Sequence, residues 1–403
     1  MKLEKLAGLL LAGTLVITGC SGDNSNQSAV ASEPGSAAEA SGQVADTGGD
    51  GGDTIKIGLI AMLTGNNPLN GLRMQQAVQL AVDEANENGG ILGRKVELLV
   101  EDDQTLQDMA VTCANKLIGE GVVGIVGPHR STNAMAIEQV INQKGVVTIT
   151  GGTTPQITTL DNPYLFRCRA SDAIFAKVAA TYAVDKLGAK KVGMFYNNDE
   201  FGTGGEETAR AYCKANNIEY ISEGHNTNDK DFTGQIMKMK NAGVEAVLIW
   251  THDPELAIHA RQIKELGLDV PVVCSPGVTM PQVIDMCEAE QIEGWYGVTD
   301  FVSGSTSPAT RQFAEVFESK YNVPAELFSA SYYGGAVALL TAIEKAGTAD
   351  RESVRNAMAE LEGISVPIGI ITCDENNDMM HEVSVARLEN KVPVYVETIK
   401  VSQ

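Results

Sequence analysis

The residues able to do chemistry gather at a series of short turns, each following a run of apolar and β-branched residues. They read Ala61-Met62-Leu63-Thr64-Gly65, Gly127-Pro128-His129-Arg130-Ser131-Thr132, Thr150-Gly151-Gly152-Thr153-Thr154, Asn197-Asn198-Asp199-Glu200-Phe201-Gly202 and Trp250-Thr251-His252-Asp253-Pro254-Glu255. Small residues let backbone N–H groups approach a bound molecule, and hydroxyls add donors where a helix begins. That chemistry suits a carboxylate. Gly, Ser and Thr are also ordinary turn and cap residues, but a succession of such turns favours a site. Arg130, beside Ser131, offers an anion a bidentate fork; its plainer role is a surface arginine paired with the abundant acids. A Ser/His/Asp set can be assembled on paper from Ser131, His252 and Asp199, yet GxSxG is absent. The five histidines show neither HExxH nor clustered spacing, and no cysteines are spaced CxxC. The expectation is a binding protein, not an enzyme, with no cofactor and no metal.

The elements that must position these turns alternate strand and helix. Strand patterns lie at Thr54–Ala61, Val96–Val100, Val122–Val126, Val146–Thr150, Lys191–Tyr196, Ala246–Trp250 and Val270–Cys274. Between the first two, Met74, Ala77, Val78, Ala81, Val82 and Ala85 mark one face of a helix that Gly89-Gly90 stops. Ala110, Val111, Ala114, Leu117 and Ile118 mark the next. Such alternation implies an α/β protein with parallel sheets covered by helices. One such unit rarely exceeds about 250–300 residues, so 403 residues divide into two lobes. Ligands of such sheets bind beyond the carboxyl ends of the strands.

Charge and the N-terminal segment set the surroundings. The formal net charge is −22, of which residues 54–403 carry −17. An acidic body repels phosphate backbones, so nucleic acid is not an expected partner. Lys2 and Lys5 precede an apolar run from Leu6 to Ile17, too short for a stable span and suited to a signal-peptide core. Ile17-Thr18-Gly19-Cys20 then looks like a bacterial lipobox, which makes residues 1–19 a signal peptide and Cys20 a lipidation site. An ordinary signal peptide with a chance cysteine is the alternative. Nineteen of the 34 residues from Cys20 to Asp53 are Gly, Ala or Ser, and no aromatic occurs among them. Such a segment reads as a flexible tether holding the body roughly 30 Å from a bilayer. The expected location is extracytoplasmic, anchored by lipid on the bacterial cell membrane. Six further cysteines remain, and only Cys274–Cys287 is local enough to consider as a pair.

At this point the chain resembles a known family. The Gly65 turn, Ala81-Val82-Asp83-Glu84, Asn88-Gly89-Gly90-Ile91-Leu92-Gly93-Arg94-Lys95-Val96 and Glu101-Asp102-Asp103-Gln104 look like the extracytoplasmic branched-chain amino-acid-binding proteins of ABC transporters. The likeness continues through Gly127-Pro128, Tyr164-Leu165-Phe166-Arg167, Phe201-Gly202, Asp231-Phe232 and Tyr332-Tyr333. The resemblance implies two Rossmann-like lobes joined by three crossover strands, closing on a small ligand like a flytrap. On that pattern the N-lobe is 54–168 plus 302–370 and the C-lobe 169–301 plus 371–403. It implies permease subunits of an importer as partners and a monomeric state; a sensory module delivering ligand status to a membrane receptor is the alternative. Carried over position by position, Ser131, preceded by Arg130, and Gly151 and Thr153 receive the ligand carboxylate, with Gly152 beside them as a further ligand-binding candidate. Phe201 covers the ligand and Phe328 lines its side-chain pocket. Asn70 and His252 stand where the family often has tyrosines. The acid that pairs with the ligand ammonium aligns with Pro276, next to Ser275. A buried ammonium without a counter-charge is costly, so the expected ligand is a small carboxylate, aromatic or amide-bearing, ahead of a zwitterion. Asp253, as a replacement acid, keeps amino acids as the alternative.

Overall fold

The computed structural model describes residues 54–380 and 382–400; the signal-peptide, Cys20 and tether readings lie outside the described residues. The chain opens with β1 (Thr54–Ala61), whose sequence TIKIGLIA is buried over most of its length, as a central parallel strand must be. It leads to α1 (Pro68–Glu87), β2 (Lys95–Asp102), α2 (Gln107–Gly119), β3 (Gly124–Val126), α3 (Ser131–Lys144), β4 (Val147–Thr150) and β5 (Leu165–Arg167). The five strands form one parallel sheet in the order β2-β1-β3-β4-β5. Asn86, near the end of α1, donates to the Val96 carbonyl and accepts the Val96 N–H, which fixes where β2 starts.

The chain then passes to a second lobe of α4 (Asp172–Thr181), β6 (Lys191–Asn197), α5 (Glu200–Ala215), β7 (Glu219–His225), α6 (Thr233–Ala242), β8 (Ala246–Trp250), α7 (Asp253–Leu266), β9 (Val272–Cys274), α8 (Pro281–Asp285), α9 (Ala289–Ile292) and β10 (Tyr296–Thr299). It returns to the first lobe as α10 (Pro308–Tyr321), α11 (Leu327–Ala346) and α12 (Arg351–Ala359), followed by the ribbon β11 (Ile364–Val366) and β12 (Gly369–Ile371). A last passage delivers β13 (Glu382–Glu389) and β14 (Val392–Lys400) to the second sheet, whose order is β14-β13-β10-β9-β8-β6-β7.

Helices cover both faces of the first sheet. Leu117 of α2 packs over Gly58 on one face, and Leu339 of α11 packs over Gly124 on the other. The second sheet departs from the all-parallel expectation. Strands β6 to β10 are parallel, but β13 joins β10 antiparallel and β14 joins β13 the same way. That hairpin comes back from the first lobe, so it enters without a helical crossover and is free to run antiparallel.

Cys274 and Cys287, considered as a pair because they are close in sequence, form no disulfide. Both are free, buried thiols. Burial drives the Cys274 thiol well above its ordinary value and Cys287 up to about 11, so both stay protonated and pack as small apolar side chains. Cys113 on α2 and Cys213 on α5 are likewise buried free thiols.

Candidate functional site

The strand ends of the two sheets face each other across one cavity of about 70 Å3. Its wall contains Asn70, Arg130, Ser131, Gly151, Thr153, Phe201, His252, Ser275 and Phe328, so nine sequence-derived candidates share one site. Gly152 is the exception. Its N–H is taken by the Thr150 hydroxyl, and a Cβ on it would lie 3.1 Å from Ser131 Cα. It lets the β4 turn pack against α3 and does not reach the wall.

Helix starts build most of this wall. α3 begins at Ser131 without a side-chain cap, leaving its first-turn N–H groups to whatever occupies the cavity. Ser131 Oγ accepts the N–H groups of Thr153 and Thr154, each at 3.2 Å, locking the β3 and β4 turns together. Gly151 is required by close approach. A Cβ there would stand 2.3 Å from the Tyr332 hydroxyl and 2.9 Å from His129 Nδ1. On α11, the Glu326 carboxylate caps the helix by accepting the Phe328 and Ser329 N–H groups, which aims Phe328 at the His129 ring, 4.4 Å away. Burial raises that carboxyl to about 7 despite the two N–H donors.

The second lobe contributes Phe201, His252, Asp253, Ser275 and Pro276. Phe201 stacks on His252 at 5.2 Å and on Trp250 at 6.4 Å, and the Trp250 indole donates to Asp172. Burial tends to raise the Asp199 carboxyl, but the His252 hydrogen bond and charge, the Gly202 N–H and Arg130 hold it at about 2. His252 Nε2–H therefore donates to the ionised Asp199, at 2.6 Å. Ser275 Oγ is buried with no hydrogen-bond partner among the described residues.

Side chains close the two lobes on each other. Asn67 and Asn70 donate to Asp253 Oδ2 at 3.2 and 2.9 Å, and Gln282 donates to Asn70 Oδ1 at 2.5 Å. Arg130 donates to Asn67 Oδ1 at 3.0 Å and sets Nη1 3.2 Å from His252 Nε2. Arg130 thus takes part in closure through Nη2, while its Nε is buried without a hydrogen-bond partner among the described residues. Sequence reading did not assign Met62, Asn67, His129, Arg169, Thr251, Gly277, Met280 and Leu327, which complete the wall with Asp253 and Pro276. His129 and Asp253 stood in the strand-end turns, which was their signal.

Behind the wall, His259 lies between Phe232 (3.9 Å) and Phe195 (4.8 Å) and near His225 (5.2 Å). Burial depresses His225, and it takes His129 and His259 well below the ordinary 6.5. Their folded forms bind fewer protons than the unfolded chain, so stability falls as pH drops through about 6.5 towards the depressed values. The unfolding free energy read from urea titrations should decline over that window, by up to about 1.4 kcal/mol per pH unit for each histidine. His259→Leu should flatten the profile; an unchanged slope would assign the acid sensitivity elsewhere.

Comparison with known proteins fits this geometry. Residues 54–392 match the family described as periplasmic binding protein. The chain is 31% identical over 328 residues to the Leu/Ile/Val-binding protein BraC3 of Rhizobium johnstonii, covering 81% of this chain and 89% of that protein. It is 28% identical to the leucine-, isoleucine-, valine-, threonine- and alanine-binding protein of Pseudomonas aeruginosa, covering 81% and 87%. Among solved structures, the leucine-binding protein LivK of Thermotoga maritima superposes with a TM-score of 0.81 at 26% identity, covering 86% of this chain and 99% of that one. These relatives are solute-binding proteins and not enzymes, and no helix among the described residues is long and apolar enough to cross a membrane. The chain belongs to the periplasmic binding protein family, with the two parallel-sheet lobes of its type I fold.

Proposed function

We propose that this protein is the substrate-binding component of an ABC importer, capturing a small α-amino acid with an apolar side chain between its lobes. The observation that carries this reading is the cavity itself. It joins an uncapped helix start with hydroxyls and amides, suited to a carboxylate, to a half-buried acid, Asp253, on the opposite lobe. The preference for an amine-free acid rested on Pro276 standing where the family has its acid. In the fold, a Cβ on Gly277 would lie 3.1 Å from Asp253 Oδ1, so α7 brings a carboxylate into the space beside Pro276. The names of the relatives, which bind leucine, isoleucine and valine, support the same ligand class.

On this reading Ser131, Gly151, Thr153 and the start of α3 hold the carboxylate, and Asp253 receives the ammonium. Met62, Met280, Leu327, Phe201 and Phe328 surround the side chain, and Asn70 and His252 help close the lobes. The N-lobe is 54–168 plus 302–370 and the C-lobe 169–301 plus 371–403, hinged at the three passages. A lipid on Cys20 with residues 20–53 as tether places the monomeric body beside the permease subunits, outside the cytoplasm.

A thermal-shift panel of amino acids, their amine-free analogues and small aromatic acids tests it. A ligand at a hundred times its Kd adds about 2.7 kcal/mol to stability. Leucine, isoleucine or valine should raise the Tm by several degrees without being consumed. Turnover of the hit, or response only to amine-free acids, overturns the reading. Mass spectrometry of the mature N-terminus should find a diacylated Cys20; cleavage elsewhere removes the anchor.

A further inference from the structure

Two arginines stand two residues apart on the first passage between the lobes, and they are used differently. Arg167 is consumed by the fold. It donates to both Asp378 oxygens at 2.6 and 2.7 Å, to the Thr153 and Thr154 carbonyls and to the Thr158 hydroxyl. Arg169 is equally enclosed, at 5% exposure, yet it makes one hydrogen bond, from Nε to Asp300 Oδ2 at 2.5 Å. Neither of its terminal nitrogens has a hydrogen-bond partner among the described residues, and the side chain lines the cavity. A purely structural pair would engage its carboxylate through two nitrogens, as Arg167 does with Nε and Nη2 on Asp378. A buried guanidinium with idle donors is costly unless an acceptor arrives.

We propose that Arg169 is the charge partner of the ligand carboxylate, with its Nε held by Asp300 and its terminal nitrogens meeting the anion beside Gly151. This rests on the reading that the ligand carries a carboxylate. It transfers to Arg169 the role first expected of Arg130, whose Nη2 is taken by Asn67 Oδ1. The corner is shared: the Arg169 charge bears on His129, whose Nδ1 lies 2.9 Å from where a Gly151 Cβ would stand. Asp300 belongs to the second passage, and its other oxygen accepts the Ala170 N–H. A carboxylate on Arg169 is therefore linked through one side chain to two of the three passages on which the lobes turn. The carboxylate becomes part of the hinge as well as of the pocket.

Calorimetry with L-leucine, 4-methylpentanoate and benzoate, each beside its primary amide, tests the assignment. Wild-type protein should prefer acid over amide by about 10-fold or more, the yield of a charge-assisted bond. R169Q/D300N removes both buried charges together and should shrink that preference below about 3-fold. R169K folds with the Asp300 pair intact but leaves no fork to spare, and it should lose preference to the same order. R130A should weaken acid and amide alike and keep the ratio. Preference retained in R169Q/D300N and R169K, or lost only in R130A, overturns the role of Arg169 alone. Should no acid bind wild-type protein, carboxylate capture fails, and this assignment with it.

Discussion

Asp253→Asn should weaken leucine binding by about 10-fold to 150-fold, the worth of roughly 1.5–3 kcal/mol for a charged hydrogen bond. The same change should leave 4-methylpentanoate, which has no ammonium, within about 3-fold. The asymmetry follows from the company Asp253 keeps. Its hydrogen-bond partners among the described residues are two neutral carboxamides, from Asn67 and Asn70. Burial raises its carboxyl above the ordinary carboxylate range, against the lowering effect of the Asn70 bond and the His252 and Arg130 charges. A ligand ammonium would replace the missing counter-charge, so affinity for leucine should fall as pH drops through that raised value. The Asp253→Asn protein should show no such fall. Calorimetry across pH reads both effects. Equal leucine affinity in the two proteins, with parallel pH profiles, would return the ligand class to amine-free acids.

Arg167→Met should cost about 3–5 kcal/mol of stability, the usual price of stranding one partner of a buried ion pair. The substitution leaves Asp378 without its fork and releases the Thr153 and Thr154 carbonyls that Arg167 holds. Ligand binding should fail with it, because Thr153 and Thr154 also donate to Ser131 Oγ in the carboxylate cradle. Urea unfolding measures the first effect and calorimetry the second. Arg167→Met with Asp378→Asn should recover part of the stability, since no charge is then stranded, but not the binding, since the carbonyls stay unheld. Recovery of both would reduce Arg167 to half of a replaceable ion pair.

Much of the fold was legible because the central strands are short apolar runs ending in turns. β1 and β8 fall on Thr54–Ala61 and Ala246–Trp250, as their residues indicate. β7 was not read. It is an edge strand, EYISEGH, mostly half-buried and without the apolar run of its neighbours. The β13–β14 hairpin escaped for a different reason: its place in the second sheet depends on a return from the other lobe, which no local pattern encodes.

The site was legible where a turn presents side chains directly, as at Ser131, Thr153 and His252. It was not legible where neighbours diverge. Gly151 faces the cavity and Gly152 faces α3, a distinction set by one residue of chain direction. Arg169 was missed because it sits on a passage between lobes, and its single bond to Asp300 spans 131 positions. The Asp253 carboxylate was noticed by sequence proximity, but its approach to Gly277 follows from how α7 packs beside the residues after β9.

Each lobe takes strands or helices from separated stretches of chain, and this has a consequence for timing. The first sheet is complete by Arg167, but the α11 helix that covers one of its faces begins only at Leu327. The second sheet gains β13 and β14 only from Glu382 onward. During synthesis neither half can finish its core early and wait for the other, because both depend on segments made late. Closing contacts over such separations is entropically slow, and it postpones native packing until nearly the whole described chain is available. For a chain that leaves the cytoplasm, as proposed here, the postponement is useful: a polypeptide still short of its long-range contacts can be threaded through a narrow export channel, and both halves then consolidate together on the far side.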